Sequence, residues 1–196
     1  MRTIILFGLF SFLFGCKDNS KKIETETFQF DDDTITTKST ESSNNLDANY
    51  QLTDLIPELK KSIEDDLKEA ESLIKKYNGQ LPSSKYDAKT LDSVFEKWRQ
   101  STDSKKESPE YVVAALGGAL GQDIVNSLDC EWKVLTDQYG SDLTVIHKKY
   151  KVNGFPFSSA RKAYTENRTG SFQAIKLTIK HQIQEAQKSG EVQERQ

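Results

Sequence analysis

Residues 111–128 place the strongest constraint on the fold, because nearly all of them are apolar or small. A helix that is apolar on every side has to be buried. This segment also contains Gly117, Gly118 and Gly121, and each glycine inside a helix costs about 1 kcal/mol relative to alanine. We therefore expect a buried helix that another element approaches closely, with Gly117 and Gly121 as packing residues.

The same glycines also raise the question of a phosphate-binding loop. Their spacing is GGxxG rather than the GxGxxG of dinucleotide-binding loops, and no strand pattern precedes them. The Lys-Ser/Thr pair of a P-loop is absent from the sequence as well. We interpret the glycines as packing residues, and we expect no cofactor.

Three helices are predicted within residues 55–128. Apolar residues recur at helical spacing over residues 55–77, and Asn78-Gly79 is a typical end. A second helix is predicted over residues 87–99, with Trp98 on its buried face. Ser108 is a good N-cap for the third, with Pro109 at its first position.

An antiparallel hairpin is predicted next, from the alternation at residues 130–135 and 143–147. A third strand is predicted at residues 150–152, with Asn153-Gly154 turning the chain. Trp132 and Pro156 are predicted to be packing residues. A short helix at 158–164 follows, and Ser171 is expected to cap a last helix that ends near residue 187.

The order of elements defines the fold class as α+β: N-terminal helices, a small antiparallel sheet of two to three strands, and a C-terminal helix. The expected boundaries are a signal peptide at 1–15, a flexible polar tether at 16–49, one domain at 50–188 and a disordered tail at 189–196. The tether is too polar to bury a core. Whether residues 27–30, which alternate, add an edge strand stays open.

The chain begins with a short apolar run, residues 4–14, that is too short to span a bilayer but suits a signal peptide. It ends in Leu13-Phe14-Gly15-Cys16, which resembles the lipobox of bacterial lipoproteins. That resemblance implies removal of residues 1–15 and attachment of lipid, including an acyl chain such as palmitate, to Cys16. Lys17 then favours the outer membrane within the cell envelope.

The net charge of −3 and the pI of about 5.5 argue against nucleic acid as a partner. They also give no attraction to anionic headgroups, so we expect the lipid to hold the protein at the membrane. A cluster of basic residues is nevertheless a candidate patch for an anion or a partner. Its members are Lys148, Lys149, Lys151, Arg161, Lys162 and Arg168.

Few residues suggest catalysis. His147 and His181 have no Cys or His at ligand spacing, so no metal site is expected, and both histidines are predicted to be partly exposed. Cys130 lies between Asp129 and Glu131, which should raise its pKa and oppose a reactive thiolate. Ser159 and Lys162 read S-x-x-K, but the partner motifs S-D-N and K-T-G are absent.

Several motifs stand in one order: Leu-Gly-x-x-Leu-Gly at 116–121, Glu-Trp at 131–132, Phe-Pro at 155–156, Ser-x-x-Arg-Lys at 158–162, and Gly170. Over about residues 108–183 this resembles the bacterial domain of unknown function 3806 family. The resemblance implies a fold and leaves activity open.

Together these features favour a lipid-anchored envelope protein whose domain binds a partner protein or another ligand and is not an enzyme. One alternative is a small envelope hydrolase that uses Ser159 and Lys162. The other is a structural envelope lipoprotein.

Overall fold

The structure is a computed structural model that describes residues 23–30, 33–40, 50–190 and 192. The chain divides into two compact units, residues 1–44 and residues 45–196. The predicted signal peptide, Cys16 and most of the predicted C-terminal tail lie outside the described residues.

The first unit contains a hairpin. Its strands are β1 (Ile23–Phe30) and β2 (Asp33–Thr40), which pair antiparallel from Ile23 opposite Thr40 to Phe30 opposite Asp33. Residues 27–30 therefore do lie in a strand, which forms a sheet with β2 alone. A local two-strand pairing satisfies backbone groups without a hydrophobic core, and the flexible polar tether at 16–49 stays a prediction.

Residues 50–190 of the second unit form five helices, and α3, the buried glycine-containing helix, packs against each of the other four. The helices are α1 (Pro57–Asn78), α2 (Ala88–Gln100), α3 (Pro109–Ser127), α4 (Pro156–Thr165) and α5 (Ser171–Ser189). Ser108 is the N-cap of α3, and its Oγ accepts from the Tyr111 N–H at 3.3 Å. No helix in the part of the chain that the structure describes is long and apolar enough to cross a membrane.

The sheet of the second unit is antiparallel, in the order β3-β4-β5-β6. Its strands are β3 (Gln51–Thr53), β4 (Cys130–Asp137), β5 (Gly140–His147) and β6 (Asn153–Gly154). The α+β class and the β4-β5 hairpin are confirmed. The short strand β3 was not predicted, so over residues 50–190 the sheet has four strands rather than two or three.

The predicted third strand at residues 150–152 is wrong by a few residues, because Asn153 and Gly154 form β6 and pair with Ile146 and Val145. The chain turns earlier, around His147. Its Nδ1 accepts from the backbone N–H groups of Lys149 and Tyr150, both at 3.0 Å. The His147 side chain thus stabilises the turn between β5 and β6. The sequence had instead predicted a turn at Asn153-Gly154, which form β6.

The N-cap of α5 is Gly170, with φ +62°, rather than Ser171. The capping group comes from α2. The Asp92 carboxylate accepts from the N–H groups of Phe172 at 3.0 Å and Gln173 at 2.9 Å. The backbone N–H groups at the start of α5 are thus satisfied by a residue about 80 positions earlier.

Candidate binding groove at the N-terminal end of α3

A groove lies where the C-terminal end of α2, the loop before α3 and the C-terminal end of α4 meet. It encloses about 450 Å³, a volume within the range of small-ligand and peptide side-chain sites. We call it the Tyr164 groove. Its lining residues are Glu96, Trp98, Arg99, Gln100, Lys106, Pro109, Tyr164 and Asn167.

The loop between α2 and α3 is fixed by its own hydrogen bonds. The Lys106 ammonium donates to Ser101 O at 3.1 Å and to Arg99 O at 3.4 Å, so it satisfies carbonyls at the end of α2. The indole Nε1 of Trp98 donates to Glu107 O at 3.0 Å. One wall of the groove is therefore held in place before any ligand arrives.

Two aromatic rings form the floor and one side of the groove. Trp98 is 2% exposed, whereas Tyr164 is 39% exposed. Their ring centroids are 6.0 Å apart at 51°, and Phe95 stacks behind Trp98 at 5.8 Å. Tyr164 thus has a buried aromatic support on one side and solvent on the other.

Arg99 and Lys106 give the groove its positive charge. The Lys106 ammonium lies 5.3 Å from the centroid of the Trp98 ring, and Arg99 Cζ lies 5.6 Å from that of Phe95. Arg99 Nη1 also donates to Glu96 at 3.3 Å and to the Arg168 carbonyl at 3.1 Å. These contacts fix the guanidinium group between α2 and the residues that follow α4.

The glycines of α3 explain why α4 reaches this position. A Cβ built on Gly117 would lie 3.0 Å from Phe157, and one built on Gly121 would overlap the Trp132 ring and lie 3.0 Å from Pro156. The start of α4 therefore packs on the middle of α3. Because the two helices run in opposite directions, Tyr164 reaches the first turn of α3.

The structure divides the predicted basic patch into two groups. Lys148 bonds Asp129 at 2.7 Å, just beyond the C-terminal end of α3, and Lys149 and Lys151 follow in the same turn. The other group lies on or just after α4, toward the opposite end of α3, whose 19 residues span about 27 Å. Its members are Arg161, Lys162 and Arg168. The six cations therefore do not form one site.

Partial pairing lowers the charge of the second group. Glu166 lies 4.0 Å from Lys162 and also forms an ion pair with Arg168. Of these three described residues, Arg168 alone bonds a residue that lines the groove: its backbone carbonyl accepts a hydrogen bond from Arg99.

Ser159 and Lys162 lie one turn apart on α4, as the S-x-x-K pattern requires. Lys162 is exposed and points to Glu166. Within the described part of the chain, no hydrogen bond joins Ser159 Oγ to an oriented base. A serine nucleophile is activated by such a base.

His147 and Cys130, the residues considered for metal or thiol chemistry, are both buried in the fold. His147 is buried rather than partly exposed, and burial lowers its pKa. Burial, followed by the charge of Asp129, raises the pKa of Cys130 to about 12. Residues 50–190 contain no group of three or more His, Cys, Asp or Glu side chains placed to hold a metal ion.

Three buried or half-buried carboxyl groups were not singled out from the sequence. Burial raises the pKa of Asp66 and of Asp92, each to about 6. It also raises the pKa of Asp123, which bonds Lys176 at 2.8 Å and the Ala88 N–H at 3.1 Å. Asp92 and Asp123 join α2, α3 and α5, so their role is in packing.

Comparison with known proteins agrees with the fold. Residues 87–174 match the family described as Domain of unknown function (DUF3806), which confirms that part of the predicted resemblance and adds α2 to it. No curated protein matches the chain. A crystal structure from Bacteroides thetaiotaomicron VPI-5482 has a similar fold, with a TM-score of 0.50 and 14% identity. The match covers 78% of this chain and 68% of that chain, and at this identity it concerns the fold alone.

The Tyr164 groove was missed by sequence reasoning because its lining comes from three separated segments. Trp98 was placed only on the buried face of a helix, and Tyr164 only at the end of a short helix. An exposed tyrosine near a helix end carries no signal until tertiary contacts place it beside a tryptophan.

Proposed function

We propose that this chain is a non-enzymatic binding protein held at the cell envelope by lipid on Cys16, and that the Tyr164 groove is its binding site. The observation that carries the proposal is the half-exposed Tyr164 ring, supported by buried Trp98. Tyrosine and tryptophan that sit in a packed, partly open site are the residues that most often dominate binding energy.

The rigidity of the groove supports a binding role. Hydrogen bonds from Lys106 and Trp98 fix the loop before α3, and Arg99 is held by Glu96 and Arg168. A preformed site loses little conformational entropy when a ligand binds. The lipid anchor would keep this site at a membrane surface, where a partner in the same compartment meets it.

Photo-crosslinking in living cells tests the proposal. A photoreactive phenylalanine analogue placed at position 164 should give discrete crosslinked products, while the same analogue at Tyr139 should not. Tyr139 is the matched control because it is 88% exposed but lies in the β4-β5 turn, away from the groove lining. Absence of products at 164, or the same products at both positions, would contradict a binding site there.

A further inference from the structure

We propose that the Tyr164 groove recognises an acidic peptide segment of a partner protein, with a carboxylate beside Arg99 and Lys106 and an apolar side chain against Tyr164. This inference rests on the proposed function and adds the chemistry of the ligand. It follows from the Lys106 charge, which has no carboxylate partner among the described residues, from the Arg99 donors that remain beside its bond to Glu96, and from the polarity of the walls.

Lys106 contributes a positive charge that no carboxylate of the described residues neutralises. Among the described residues its ammonium bonds the carbonyls of Arg99 and Ser101 alone, and these carry no net charge. The side chain is exposed at the rim of the groove. A carboxylate that approaches this rim gains an interaction that the protein itself does not supply.

Arg99 is oriented so that part of its guanidinium group stays available. Nη1 makes both observed bonds, to Glu96 and to the Arg168 carbonyl. Among residues 50–190, no acceptor is bonded to Nε or Nη2. Those two donors form the parallel pair that a carboxylate can accept together.

The groove is positively charged, whereas the chain as a whole is negatively charged. This difference favours an acidic partner at the groove. Arg99 and Lys106 outnumber Glu96 in the lining, so the groove is positive, whereas the whole chain carries −3. A negatively charged segment is repelled from most of the surface and attracted at the groove. Such complementarity sets orientation and specificity more than raw affinity.

A peptide fits the walls better than an inorganic anion or a lipid phosphate does. Pro109 has no N–H at the start of α3, and the Tyr111 N–H is already bonded to Ser108, so this helix start offers few donors. Glu110 in the same turn adds a negative charge. The aromatic surface of Tyr164 instead requires an apolar neighbour beside the carboxylate.

The test uses three peptides and the full chain carrying Cys16→Ala. The probes are acetyl-Gly-Ser-Asp-Glu-Phe-Ser-Gly-amide, the same peptide with Asn-Gln in place of Asp-Glu, and the acidic peptide with Ala in place of Phe. Binding is followed by the NMR signals of the two indole N–H groups. Trp98 lies in the groove, and Trp132, which packs on Gly121, is the internal control.

We expect the acidic Phe peptide to shift the Trp98 signal with a dissociation constant on the order of 0.1–1 mM. The amide peptide and the Ala peptide should each bind about fivefold more weakly or less. Lys106→Gln should weaken the acidic peptide by about threefold to tenfold, whereas Lys105→Gln, an exposed neighbour outside the groove, should not.

Equal binding of the acidic and amide peptides would overturn the charge selection while leaving the groove as a binding site. No shift of Trp98 with any peptide would also overturn this inference, whereas crosslinking at position 164 judges the proposed function separately. Inorganic phosphate that displaces the acidic peptide at equal concentration would show a general anion site and contradict a peptide-specific one.

Discussion

Gly121 sits where α3 meets both β4 and α4, and it leaves room for no side chain. A Cβ there would overlap the outer edge of the Trp132 ring and would lie 3.0 Å from Pro156 Cγ. The loss of helix propensity at this one residue is therefore compensated by contact between three elements. The half-buried Trp132 ring would have to shift to admit a side chain at position 121.

Gly121→Ala should lower the free energy of unfolding by about 1–3 kcal/mol, because overpacking outweighs the gain of about 1 kcal/mol in helix propensity. Urea unfolding followed by circular dichroism measures the change. In a Trp132→Leu background the same substitution should cost less, since the ring that clashes is gone. A stability equal to or above the parent protein after Gly121→Ala would contradict the close packing.

Asp66 carries a charge at a position where burial opposes it. A Cβ built on Gly118 would lie 3.0 Å from the Cβ of Asp66. Asp66 therefore lies at the contact between α1 and α3. Burial raises its pKa to about 6, and Asp65 and Glu69 add to the effect. Because the folded-state pKa lies above the unfolded value of about 3.9, the contribution of Asp66 to stability is largest below pH 4 and is lost as the pH rises through 6.

Asp66→Asn should therefore stabilise the protein at pH 7, by on the order of 1 kcal/mol after allowance for partial exposure. The gain should disappear at pH 4, where Asp66 is already protonated. Thermal unfolding at a series of pH values measures both.

Asp65 supplies the control, because its pKa is lowered to about 2 by Lys68 and Lys61. Asp65→Asn should instead remove stability at pH 7, and this loss should shrink as the pH falls toward 2. The same pH trend for both variants would exclude an effect of burial at Asp66.

At the scale of elements, Asp92 connects α2 to the start of α5. Asp92→Ala should cost about 1–2 kcal/mol, since two N–H groups of α5 lose their acceptor. Hydrogen exchange should show the loss of protection in the first turn of α5. Asp92→Asn keeps one acceptor oxygen and should cost less.

The comparison for this cap is Asp87, which accepts from the Thr90 N–H at 3.1 Å within its own helix. Asp87→Ala should increase exchange at the start of α2 and leave the start of α5 protected. If Asp87→Ala and Asp92→Ala exposed the same amides, the capping of α5 by α2 would be wrong.

Elements with strong local signals could be predicted from the sequence, and those that depend on distant residues could not. The bounds of α1 and α2 follow from apolar spacing, and the Ser108 cap and Pro109 fix the start of α3. Strand β3 has only three residues, too few for a periodic pattern, and it exists because β4 pairs with it. The carboxylate that caps α5 belongs to Asp92 on α2, so the prediction that Ser171 caps this helix is wrong.

The candidate site was less predictable than the fold. Of the groove residues, sequence alone placed Trp98 on a buried helix face, and it gave no role to Arg99 or Lys106. The basic patch was inferred from closeness in sequence, but α3 separates Lys148 from Arg168. Charges that lie near one another along the chain become one site only when the elements between them bring them together.

At the scale of the whole molecule, the proposed function combines two independent parts, a lipid at Cys16 and the Tyr164 groove in residues 45–196. The lipid would set where the protein acts, and the groove would set what it binds. Loss of the lipid should therefore change location without changing binding of the acidic peptide by the groove.

Metabolic labelling with an alkyne-bearing palmitate analogue tests the anchor. The parent protein should be labelled and sediment with membranes, because several acyl chains at about 0.8 kcal/mol per buried CH₂ hold it there. Cys16→Ala should remove the label and release the protein from membranes. Cys130→Ala should keep the label, because that thiol is 2% exposed and its pKa is raised to about 12 by burial. Label that persists in Cys16→Ala, or membrane sedimentation that does not depend on Cys16, would show that the chain reaches the envelope by another route.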